Sequence, residues 1–166
     1  LQNAGANMIS VHGRTYKQAF TGKADFTGIY DLKQHLDIPV LCNGDVLDYD
    51  DGVKKMIHPA NRNSPITETS PKNLDGFMIG RASFGNPWCF LPEGYTPTLS
   101  EILDIMADHG RLLWEWKNRK GMMEARKHLV QYLHGFPGVK EYRSALVQVE
   151  SVSDIETVLE KIRNDH

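Results

Sequence analysis

Three short apolar runs, each stopping at a cluster of polar residues, set the strongest constraint on how this 166-residue chain folds. Met8-Ile9-Ser10-Val11 ends at His12-Gly13-Arg14-Thr15. Pro39-Val40-Leu41-Cys42 ends at Asn43-Gly44-Asp45, and Phe77-Met78-Ile79 ends at Gly80-Arg81. Helical patterns separate them: Phe26–Leu36 after the first, Asp48–Ile57 after the second with Asp48 as its N-cap, and a short helix from Ala82 after the third. Continuous apolar strands that alternate with helices indicate an α/β fold with a parallel sheet covered by helices. In such sheets ligands bind outside the C-terminal strand ends, where all three polar clusters fall. Three strands do not close an eight-stranded barrel, which takes about 250 residues. Residues His58–Asn73, rich in Pro, Asn, Ser and Thr, read as a loop insertion.

The second half is helical. Thr98 and Glu101 form a capping box, and Ile102, Ile105, Met106, Leu112, Leu113 and Trp116 follow at helical spacing. Gly121 is expected to break that helix. Met122, Ala125, Leu129, Val130 and Leu133 mark the next, which ends at Gly135-Phe136-Pro137-Gly138. Tyr142, Leu146 and Val149 mark a third. Ser153 and Glu156 are expected to cap the last, with Ile155, Val158, Leu159 and Ile162 on one face. These spacings describe a small helical bundle. The expected division is residues 1–92 for the sheet domain and 93–166 for the helical one.

The net charge of −2 says nothing about partners, but its distribution does. Residues 111–143 hold 8 Lys or Arg against 3 Asp or Glu, while the segments before and after are acidic. Trp114, Trp116, Tyr132, Phe136 and Tyr142 interleave with those cations. Cations for phosphates and rings for stacking suit RNA; a solvated face over an aromatic core is the competing account. No run approaches the roughly 18 apolar residues of a membrane span. The cysteines, Cys42 and Cys89, form neither a disulfide scaffold nor a zinc pattern, and both lie in apolar stretches as core residues. A reducing, cytoplasmic setting fits them, and no metal site is expected. Leu1 to Ala6 read as the tail of a helix stopped by Gly5, so the chain is expected to be a piece of a longer protein.

Each strand-end cluster has a chemistry and a plainer alternative. Gly80-Arg81 offers bare backbone, helix-start amides and a guanidinium to a phosphate, or is a turn glycine with a solvated arginine. Asn43-Gly44-Asp45 presents an amide, a bare backbone and a carboxylate to a polar cofactor tail, or Asp45 caps a helix. His12 could hydrogen-bond a ring or sugar without titrating.

Taken in order, these stretches resemble the tRNA-dihydrouridine synthases. The similar stretches are His12-Gly13-Arg14-Thr15 with Gln18 and Gly22-Lys23-Ala24-Asp25, then Ile38 through Asp45, then Asp75 through Arg81 with Gly85-Asn86-Pro87-Trp88. In the helical part they are Arg126-Lys127-His128, Tyr132 through Pro137, and Arg143. The resemblance implies the last three βα units of a TIM (β/α)8 barrel followed by a helical tRNA-binding domain. It implies FMN as cofactor and NADPH as its reductant, with uridine in tRNA reduced to dihydrouridine. Asn43, Gly44 and Asp45 would bind FMN, Gly80 and Arg81 would hold its phosphate, and His12 would contact the flavin. Arg14 and Gln18 would lie near the RNA path, and Arg126, Lys127, Lys140 and Arg143 would grip tRNA. The cysteine that protonates the base belongs to the family's earlier half and lies upstream of this chain. The fragment alone is therefore expected to be inactive. Two rivals remain: another FMN-dependent barrel acting on a small molecule, and a non-catalytic RNA-binding fragment.

Overall fold

A computed structural model describes residues 1–19 and 21–166. The chain divides into two compact units, Leu1–Ser83 with Cys89–Tyr95 and Phe84–Trp88 with Thr96–His166. The chain thus passes from one unit to the other more than once, whereas the composition suggested a single boundary near residue 92.

The first unit is built on a parallel sheet of three strands in the order β1 (Ile9–His12), β2 (Val40–Asn43) and β3 (Gly76–Met78). Two helices, α1 (Thr27–Gln34) and α2 (Tyr49–Met56), connect them. Alternation along β2 buries Val40 and Cys42 completely. Ile29 and Tyr30 of α1 and Leu74 close the same core. Asp48 caps α2, its side chain accepting the Asp51 N–H at 2.7 Å. β1 and β2 run one residue beyond their apolar runs, whereas β3 ends one residue before Ile79. Register explains it: His12 pairs with Asn43 and Asn43 with Met78, and the Gly13 N–H donates to the Asn43 carbonyl at 2.8 Å. Ladder bonds carry the backbone past the last apolar residue, so His12 and Asn43 are held rigidly in the sheet.

At the other end of the sheet Lys33 and Asp75 form an ion pair at 2.8 Å, with the Lys33 side chain buried. The 58–73 segment contains one 3-10 turn, Pro59–Asn61. It is pinned where the Asn61 amide donates to the Pro71 carbonyl and to Asn73 Oδ1 at 2.8 and 2.9 Å.

The helix expected from Ala82 does not form. Arg81–Ser83 makes one 3-10 turn, closed by the Ser83 N–H and Oγ donating to the Gly80 carbonyl at 3.0 and 2.8 Å. Gly85 at φ +69° and Pro87, which lacks an N–H, prevent its continuation.

The second unit comprises α3 (Leu99–Leu129), α4 (Val139–Leu146) and α5 (Val152–Asp165). Its core is Leu103, Met106, Met122, Ala125, Leu129, Leu133, Leu146, Ile155, Leu159 and Ile162. Two sequence expectations need correction. The break in α3 falls at Asn118, at φ 50° and ψ −133°, and not at Gly121. A Cβ on Gly121 would lie 1.8 Å from the Leu113 carbonyl oxygen. Residues eight apart stand about 12 Å apart along a continuous helix, so α3 doubles back at Asn118 into a helical hairpin. Glycine at 121 answers a close approach of backbones. The cap of α5 is Ser151, whose hydroxyl accepts the Asp154 N–H at 3.1 Å while Asp154 accepts the Ser151 N–H at 3.0 Å. Ser153 and Glu156 lie inside the helix. Among the described residues no helix is long and apolar enough to cross a membrane.

Candidate functional site

The strand ends of the first unit frame a cleft of about 490 Å³. His12 reaches it from the end of β1 and Asn43, Gly44 and Asp45 from the end of β2. Met78, Gly80, Arg81 and Ala82 line it from the end of β3, and Val46 and Leu47 complete its wall. All six residues singled out for a cofactor therefore meet in one place, because parallel pairing in register aligns the three strand ends. The cleft opens where backbone is bare. Gly44 takes φ +111°, and a Cβ there would press on Ala24 Cβ at 3.0 Å and the His12 ring at 3.1 Å. A Cβ on Gly80 would meet nothing within 4 Å.

Asp45 organises the site. Its Oδ2 accepts from Arg14 Nη2 at 2.5 Å and from the Ala24 N–H at 2.8 Å. Its Oδ1 faces Arg81 Nη2 at 3.4 Å, and its carbonyl accepts from Lys55 Nζ at 2.5 Å. One residue thus ties the loop after β1, the turn after β3 and helix α2 to the end of β2. Its backbone pays for this placement with a φ of 51°, unusual outside glycine. The bond from Arg14, then that from Ala24, hold the Asp45 carboxyl below its ordinary value of 3.8. It stays charged between two guanidinium groups.

Arg14 corrects an expectation. Assigned to the RNA path, its side chain is only 3% exposed. Besides Asp45 it donates to the Gly22 carbonyl at 2.7 Å and the Thr21 carbonyl at 3.3 Å, and its Nη1 is buried without a hydrogen-bond partner. Arg14 is part of the site's frame. Gln18 closes the following 3-10 turn, its Oε1 accepting the Thr15 N–H at 2.8 Å. The Arg14 N–H donates to His12 Nδ1 at 3.2 Å, which leaves the neutral ring's proton on Nε2. Asn43 Nδ2 turns towards Met78 Sδ at 3.2 Å.

No residue pattern points to Lys55 or to the Ala24 amide in this network. The one signal was the Gly22–Asp25 stretch, whose backbone proves to wrap Arg14 and Asp45. Cys42 and Cys89 are buried free thiols, and burial pushes both above their ordinary value. Neither is placed as a nucleophile or an acid. No group of three or more His, Cys, Asp or Glu among the described residues could hold a metal.

Of the helical-unit cations, Arg126 and Arg143 each donate to a backbone carbonyl. Arg126 Nε donates to the Val149 carbonyl at 2.8 Å and Arg143 Nε to the Val130 carbonyl at 3.1 Å. The Arg126 side chain is 21% exposed. Lys127, Lys140 and Arg143 are exposed.

Arg81 supplies a cation and Gly80 an open backbone, so the cleft is chemically suited to an anionic group beside a polar, hydrogen-bonding body. Comparison with known proteins agrees with the motif order. The probable tRNA-dihydrouridine synthase of Mycobacterium tuberculosis is 37% identical over 169 residues, covering 95% of this chain and 40% of that protein. Probable tRNA-dihydrouridine synthase 1 of Synechocystis is 35% identical over 97% of this chain and 44% of its own length. That of Aquifex aeolicus is 30% identical over 98% and 49%. The chain thus spans less than half the length of these relatives. The dihydrouridine synthase model matches residues 1–165, and with three strand ends bearing the motifs in order, the chain belongs to the dihydrouridine synthase family.

Proposed function

We propose that this chain is the C-terminal part of a flavin-dependent tRNA-dihydrouridine synthase. In this reading residues 1–92 are the last three βα units of a (β/α)8 barrel and residues 93–166 are a helical tRNA-binding domain. The observation that carries it is the convergence of His12, Asn43, Asp45, Gly80 and Arg81 on one cleft at the ends of parallel strands, in a member of this family. The residues fit FMN. The cleft lies within the roughly 300–1,000 Å³ of small-molecule sites, the Gly80 backbone is open, and the Arg81 side chain is 57% exposed.

Gly80 and Arg81 would hold the phosphate, Asn43 and Gly44 would flank the body of the cofactor, and His12 would offer Nε2–H as a donor. Asp45 acts through Arg81 and Arg14, keeping the guanidinium groups and the strand-end loops in place. When bound in this cleft, FMN would supply hydride chemistry towards uridine in tRNA, with NADPH as its reductant. In the family reading the proton for the base would come from a cysteine of the earlier half of the full-length protein; Cys42 and Cys89, both buried, are not assigned that role. The reaction therefore belongs to the full-length protein, and this part alone is inactive. A tRNA substrate and two free thiols suit the cytoplasm. Lys127 and Lys140 are the cations best presented to tRNA.

The test uses the full-length protein. Flavin fluorescence titration should show FMN binding, and Arg81→Ala should weaken it about tenfold, the scale of one charge-assisted contact at a half-exposed site. A full-length protein that binds no flavin, or an Arg81→Ala variant with unchanged affinity, would overturn the assignment.

A further inference from the structure

The corner of the α3 hairpin is a site that the strand-end chemistry leaves unused. Helical spacing puts Trp116 with the apolar residues of α3, yet it is 83% exposed. A single exposed apolar side chain is ordinary; this one sits where the backbone is fixed and where Lys117, Arg119 and Lys120 outnumber the flanking Glu115 and Glu124. Asn118 takes a conformation that non-glycine residues rarely adopt, and such backbone persists where the surroundings over-determine it. The abutment of Gly121 on the Leu113 carbonyl locks the two legs together at the turn. Lys117 Nζ pairs with Glu124 Oε2 across the corner at 2.6 Å. The five residues Trp116-Lys117-Asn118-Arg119-Lys120 include three cations and no carboxylate, all of them exposed. The corner is thus a rigid projection with one large flat ring beside Arg119 and Lys120.

We propose that this corner is an RNA contact, in which the Trp116 indole stacks on an unpaired base while Arg119 and Lys120 hold neighbouring phosphates. The inference rests on the tRNA reading above and names a contact that reading does not contain. Charge selects the partner: a cationic corner calls for a polyanion, and a polyanion that also offers flat faces for an indole is a nucleic acid with unstacked bases. The rigidity of the corner means that ring and cations are ordered before binding, so little entropy is lost on contact.

The test is tRNA binding by the full-length protein, followed by fluorescence anisotropy over a salt series, with FMN titration as a check on the first unit. Trp116→Ala should weaken binding about tenfold, within the range of one stacked base, and leave the salt slope as it was. Trp116→Phe should restore most of the loss, because a phenyl ring still stacks. The double variant Arg119→Gln/Lys120→Gln should flatten the salt dependence by roughly one and a half to two units of slope. FMN affinity should be unchanged throughout. If the unaltered protein binds tRNA and these variants bind it equally well, the corner is not an RNA contact and the tRNA reading stands. If the unaltered protein binds no tRNA, both fall. Variants that keep tRNA affinity but lose binding to phosphatidylserine vesicles would assign the corner to a membrane surface and overturn the proposal.

Discussion

Asp45→Ala should lower the stability of the sheet unit by about 2 kcal/mol, the discounted value for breaking an ion pair with one fully buried member. Arg14 is the buried member at 3% exposure, while Asp45 is 31% exposed. Removing the carboxylate leaves a guanidinium enclosed with its Nη1 already unpartnered. It also releases the Ala24 N–H and the tether on Arg81. The loss should therefore appear both in urea unfolding and in weaker FMN binding by the full-length protein. Adding Arg14→Met should recover part of the stability, because no uncompensated charge then remains, but should not restore FMN affinity. A double variant no more stable than Asp45→Ala would mean that the pair is not what holds the loop.

The same pair predicts a pH dependence. The folded Asp45 carboxyl lies below its ordinary value of 3.8. A lowered carboxylate contributes stability that is present above the unfolded value and disappears as pH falls through the folded one. The difference between wild type and Asp45→Ala should be level from pH 7 to about pH 5 and narrow below about pH 4. A difference that widens in acid would contradict the assignment.

Gly121→Ala should be the most damaging single methyl addition in the helical unit, at about 3 kcal/mol, the upper range for overpacking. The added Cβ would stand 1.8 Å from the Leu113 carbonyl oxygen, and 3.1 Å from Lys117 Cβ. A side chain could swing aside, but a carbonyl inside a helix moves only with its helix. The hairpin must open at the corner, pulling Met122 and Ala125 away from Leu103 and Met106 in the core. Hydrogen exchange across α3 in the full-length protein is the measurement, with Gly28→Ala as a control, since nothing lies within 4 Å of a Cβ there. Equal exchange in the two variants would mean that α3 is not folded back at Asn118.

The strand ends are legible in the sequence because parallel sheets concentrate chemistry there, so three polar clusters after three apolar runs belong together. The corrections share a different cause. Ser151 and Ser153 each have an acid three residues on, and sequence does not separate them. The choice falls to Ser151 because Asp154 there also accepts the Glu150 N–H at 2.8 Å. Gly121 reads as a breaker from its propensity, whereas its reason is a carbonyl eight residues away. Asn118 carries no helix-breaking signal as strong as glycine's, yet asparagine tolerates left-handed backbone better than most residues. Arg14, Arg126 and Arg143 look alike as cations. Their partners are carbonyls 8, 23 and 13 residues distant, which only the fold reveals.

The two buried thiols divide the sheet unit into separately timed parts. Cys42 sits at 0% exposure in the cluster with Val40, Ile29 and Leu74, whereas Cys89 belongs to a smaller cluster with Val46 and Ile79. Val46 is also a wall of the cleft. Access to Cys42 requires opening the larger cluster within the sheet, whereas access to Cys89 requires opening only the smaller one. Cys89 is therefore expected to react with a thiol reagent before Cys42, and a ligand in the cleft to slow that first reaction through Val46.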